Sequence, residues 1–129
     1  MKWLNTILLM LIGILPVANA YCETINVFPG KPGIIKEAIS SATAGDTIVI
    51  GKGYYPEHDI IIAKPLYIHG IDLPVIDGEH KSDIFRIQAD CVTIKGLRIQ
   101  NVGFSYTKDL SAIRVESKNF VTIENNEIE

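Results

Sequence analysis

The chain has 129 residues, 12 Lys and Arg against 15 Asp and Glu, and a formal net charge of −3. Both signs are scattered along it without a basic block, which argues against nucleic acid as the natural partner. Two cysteines are too few for a disulfide scaffold, and the length allows one domain at most.

The first twenty residues read as a leader. Lys2 supplies a positive start, and residues 7–17 form an apolar run that includes Gly13 and Pro16. Ala18-Asn19-Ala20 places small residues at −3 and −1 of a cleavage between Ala20 and Tyr21, the pattern of a secretory signal peptide. The run is shorter than the roughly 20 apolar residues that a membrane span needs. Export is expected, to the periplasm or the cell exterior, with residues 21–129 as the mature part. Without Lys2, 11 basic residues face 15 acidic ones. Cys22 and Cys91 would then meet an oxidising compartment, as an end-tether or as two unrelated thiols.

In chain order, T-I-N-V-F (residues 24–28) alternates apolar with polar as a short strand does, and P-G-K-P-G breaks it. Residues 34–42 then predict a helix, with Ile35, Ala38, Ile39 and Ala42 on one face and Lys36 and Ser40 on the other. A helix this short is marginal alone and must lie against something apolar. The open end of a strand stack is the obvious surface, because an uncovered strand edge is a liability. A turn at Ala44-Gly45-Asp46 leads into a strand over residues 47–50, which stops at Gly51, Gly53 and Pro56.

From Ile60 onward the chain repeats. L-Y-I-H-G, V-T-I-K-G and V-T-I-E-N begin at Leu66, Val92 and Val121, 26 and 29 residues apart. Ahead of them lie I-I-I, F-R-I and I-R-V, beginning at Ile60, Phe85 and Ile113. A third run follows, L-R-I at Leu97 and then E-I at Glu127. Strands of three or four residues, two or three per repeat, suit one coil of a β-helix. Ile68, Ile94 and Ile123 should stack inward, as should Leu66, Val92 and Val121, with Thr93 and Thr122 outward. Gly70, Gly96 and Asn125 share the fifth position, where a left-handed corner is expected to recur. Alternating strands also fit a two-sheet sandwich, but spacing, corner residue and inward ladder together favour an all-β parallel β-helix with an N-terminal capping helix. The chain stops in mid-coil, so the fold is expected to be incomplete at its C-terminus, the N-terminal part of a longer stack.

These motifs carry a resemblance. Residues 29–57 (P-G-K-P-G-I-I-K-E-A-I-S-S-A-T-A-G-D-T-I-V-I-G-K-G-Y-Y-P-E), K-P-L-Y-I-H-G, P-V-I-D-G, V-T-I-K-G-L-R-I-Q-N and I-E-N-N-E-I together resemble the start of the NosD family. That family belongs to the right-handed, pectin-lyase-like β-helix class of carbohydrate-binding and sugar-hydrolase proteins. The resemblance implies a periplasmic accessory role. With an ABC-type transporter, such proteins support insertion of copper into nitrous oxide reductase.

Imidazole is a suitable copper ligand, and the metal candidates are His58, His69 and His80, eleven residues apart. Equal spacing does not bring them together, and no H-x-H, C-x-x-C or Met-rich cluster accompanies them. No cofactor is expected to be held by this segment alone, with copper handled through the assembled system. The rival is catalysis: Asp72, Asp77, Asp83 and Asp90, with Lys95, Arg98 and Arg114, are outward candidates for acid–base cleavage of a polysaccharide. A solvated polar face is the plain alternative for all of them, and no catalytic residue is assigned. A third class is a non-catalytic carbohydrate-binding module. Tyr54, Tyr55, Phe104 and Tyr106 read as loop aromatics, the tyrosine pair folding back over the helix cap. Residues 102–110 form the longest insertion, and insertions on repeat proteins tend to carry binding surface.

Overall fold

A computed structural model describes residues 21–129 of the chain. The leader over residues 1–20, with Ala20 of the cleavage junction, lies outside the described residues. The rest is a parallel β-solenoid of about four turns with one short helix. It opens with β1 (Thr24–Val27) and α1 (Ile34–Ser41). Eleven strands follow: β2 (Thr47–Ile50), β3 (Tyr54–Pro56), β4 (Ile60–Ile62), β5 (Tyr67–Gly70), β6 (Val75–Asp77), β7 (Phe85–Ile87), β8 (Thr93–Lys95), β9 (Arg98–Gln100), β10 (Ile113–Val115), β11 (Thr122–Glu124) and β12 (Glu127–Ile128).

The strands stack into three walls. The first wall runs β1-β2-β5-β8-β11, the second β3-β6-β9-β12 and the third β4-β7-β10, every pairing parallel. The repeated V-T-I segments pair in the expected register, Ile68 on Ile94 and Ile94 on Ile123. The repeat begins earlier than Ile60, however. Ile25 and Ile48 are already rungs of the same ladder, so five isoleucines stand in one column. Ile48, Ile68 and Ile94 are fully buried, each worth about 1.5–3 kcal/mol of apolar transfer. Ile123 holds the register yet is 42% exposed as the last described rung.

Two local expectations are corrected. Gly96 and Asn125 do take positive φ, but Gly70 does not; it ends β5 in extended backbone. Its missing side chain serves close packing, since a Cβ there would stand 2.3 Å from the Gly96 carbonyl oxygen. Tyr54 and Tyr55 are not loop residues over the cap but lie in β3, with Tyr55 buried and its hydroxyl donating to the Gly51 carbonyl at 2.7 Å.

The helix covers one end of the stack as expected, burying Ile35, Ala38 and Ile39 against β1, β2 and β4. Gly33 at its N-cap offers no side chain. Instead the buried Glu57 carboxylate accepts the N–H groups of Ile35 (2.9 Å) and Lys36 (3.2 Å). These are donors that a helix start leaves unsatisfied, and the negative charge suits that end.

Candidate functional site

The corner between the second and third walls lengthens coil by coil. From strand start to strand start it takes six residues (Tyr54 to Ile60), then ten (Val75 to Phe85), then fifteen (Arg98 to Ile113). Three tiers therefore lie over one another: His58 and Asp59, then His80 to Asp83, then the insertion at residues 102–110. Backbone bonds tie them together, from the Asp59 N–H to the Asp83 carbonyl (2.8 Å) and from the Gly103 N–H to the Ser82 carbonyl (3.0 Å).

Beside this corner the outward row of the third wall is Ile61, Arg86 and Arg114, in register on β4, β7 and β10. Each arginine is anchored. Arg114 donates from Nε to Asp83 Oδ2 at 2.9 Å and from Nη2 to Oδ1 at 3.1 Å, and Nη2 also reaches the Asp109 carbonyl. Arg86 places Nε and Nη2 on Glu116 at 3.2 and 3.0 Å. A cleft of about 510 Å³ opens here, lined among others by Asp59, Asp83, Arg86, Lys108, Asp109 and Arg114. Its charged lining thus brings together three cations and three anions, with Asp83, Arg86 and Arg114 held by ion pairs.

Two of the four acidic candidates, Asp77 and Asp83, are not on the solvated face that the sequence suggested. Asp83 is buried; the Arg114 guanidinium holds its carboxyl below the usual range against the opposing effect of burial, helped by the Ser111 N–H at 2.6 Å. Asp77 is buried as well. Burial pushes its pKa up, but bonds from the Tyr54 hydroxyl (2.6 Å), the Glu79 N–H (2.8 Å), Asn101 (3.0 Å) and Gln100 (3.3 Å) outweigh it and bring the value to about 2. The bond from the Glu79 N–H, two residues on, makes Asp77 the first residue of a side-chain-closed turn. Asp72 and Asp90 are exposed, and Asp90 accepts the Asn119 N–H. Arg98 pairs with Glu127, and Lys95 lies 4.9 Å from the Tyr67 ring centre.

The three histidines are divided between two places. His58 Nδ1 lies 3.1 Å from Asp59 Oδ2 and 3.0 Å from Ser82 Oγ, and His80 occupies the exposed turn one tier on. His69 stands on the first wall, outward on β5. Among the described residues, no three His, Cys, Asp or Glu side chains are gathered so as to hold a metal ion. Cys22 and Cys91 are both free and exposed.

The chain matches no protein-family model, no curated protein and no solved structure.

What the solenoid brings together was half visible beforehand. The insertion was recognisable as an excess over the repeat length, and Arg114 and Asp83 were both candidates. Arg86 was missed, although its place in F-R-I, matching the Arg of I-R-V, was the signal that stacks it beneath Arg114. Glu57 was missed too, since a buried carboxylate 22 residues from the helix start leaves no local pattern.

Proposed function

We propose that the chain is the rigid scaffold of a non-catalytic maturation factor. With an ABC-type transporter, it supports assembly of the copper centres of nitrous oxide reductase in the periplasm. The motif resemblance over residues 29–128 suggests the partners. The observation that carries the non-catalytic half is the commitment of Asp77 and Asp83 to internal bonds. A general acid must hold a proton at working pH, and a carboxyl with a pKa of about 2 does not. With the histidines divided between two places, copper passes through contacts completed by partners rather than through a site on this segment.

The test is genetic and chemical together. Deleting the gene should leave the reductase exported but poor in copper, and restoring the full chain should refill it. Clear release of unsaturated or reducing-end products from polyuronates by the purified protein, lost on Asp83→Asn, would overturn the reading in favour of a polysaccharide enzyme. Competition with a Cu(I) chelator should show weak binding at most. Tight stoichiometric binding abolished by changing His58 and His80 together would make those imidazoles ligands.

A further inference from the structure

The loop over residues 102–110 presents two aromatic rings to water. Phe104 is 75% exposed and Tyr106 94%, and they meet edge to face with centres 5.0 Å apart. The loop is clamped at both ends. Gly103 is pressed onto the tier before it, where a Cβ would lie 2.5 Å from the Ser82 nitrogen. The Asp109 carbonyl is gripped by Arg114, itself held bidentately by Asp83. Between the clamps, Ser105 Oγ accepts the N–H groups of Thr107 and Lys108, both at 3.2 Å. Lys108 makes no ion pair among the described residues.

We propose that this loop is a docking knob for a folded protein partner, one that offers an apolar pocket to Phe104 and Tyr106 and a carboxylate to Lys108. Rigid exposed aromatics are the side chains that anchor protein interfaces, and a loop already held in shape loses little freedom on binding. The charged cleft beneath, with both signs fixed, suits the polar rim of such an interface. A bilayer fits less well. Asp109 shares the loop, Asp59 and Asp83 lie just below, and the chain is net negative, so insertion would carry carboxylates toward lipid. The inference deepens the maturation reading by naming where a partner binds, but the loop's geometry stands without that reading.

The experiment uses the full chain in its own host. A photo-crosslinking p-benzoylphenylalanine is placed at Tyr106, with a control at Ile71, which is exposed at the corner between the first and second walls. One defined protein should be captured from position 106 and not from 71. That protein, identified by mass and purified, is then the binding probe. Phe104→Ser should weaken its binding roughly thirtyfold, and Lys108→Glu severalfold, at unchanged melting temperature. No adduct, the same adducts from both positions, or unchanged binding in these variants would sink the proposal. So would capture of a second copy of this chain, or of lipid, with binding to phosphatidylcholine vesicles. Capture of a partner that is neither the reductase nor the transporter would remove the maturation reading and leave the docking knob in place.

Discussion

The Lys64 ammonium group donates to the Ala42 carbonyl at 2.6 Å, at the opposite end of the capping helix from Glu57. It also reaches the carbonyls of Ile39 (3.0 Å) and Ser40 (3.4 Å). Helix α1 is thus held by an anion at its start and a cation at its finish, both from the coil that it covers, in the sense that the helix dipole favours. Glu57→Gln should cost about 1–2 kcal/mol and Lys64→Met about 1 kcal/mol. Urea unfolding followed by circular dichroism would measure both. No change for Glu57→Gln would mean that the helix is held by its apolar face alone.

The isoleucine column makes a graded prediction. Ile94 is enclosed between Ile68 and Ile123, so Ile94→Ala should destabilise by about 2–5 kcal/mol. Ile123→Ala, at the partly exposed rung, should cost about 1 kcal/mol. Equal losses in the two variants would contradict the stack.

Gly70 and Gly30 form a matched pair for a backbone test. Gly70→Ala drives a methyl group into the Gly96 carbonyl and Leu97, and should lower the melting temperature sharply. Gly30→Ala meets nothing within 4 Å and should leave it nearly unchanged.

Asp77 predicts an acid-sensitive term. Its folded pKa of about 2 lies below its ordinary value of 3.8. The stability it contributes is therefore complete above that ordinary value and is lost as pH falls toward 2. Asp77→Asn should cost about 1–3 kcal/mol near neutrality, since it weakens bonds to a buried charge. It should also flatten the stability profile between pH 4 and pH 2. An unchanged profile, from denaturant midpoints at several pH values, would remove Asp77 from the account.

The walls were legible in the sequence because a period of two, repeated at a nearly constant interval, has few physical readings. V-T-I-K-G and its relatives stated the register outright. The corner was less legible, since what it does depends on residues of different tiers meeting side by side. Asp83 and Arg114 are 31 positions apart, and only the coil length brings them together. Tyr55 was misread for a related reason: beside Gly51, Gly53 and Pro56 it had the company of a loop residue, yet its ring fills the core of the second wall.

The lengthening corner has a consequence for how such a molecule can change. Register is set on the walls, where every rung is fixed by its neighbours, and the corner adds only a few bonds between tiers, such as that from the Asp59 N–H to the Asp83 carbonyl. Closing a longer connection costs little, about 0.6 kcal/mol for each doubling. Length can therefore be added or removed there as though at a free margin, one tier at a time, while the ladder of isoleucines stays in step.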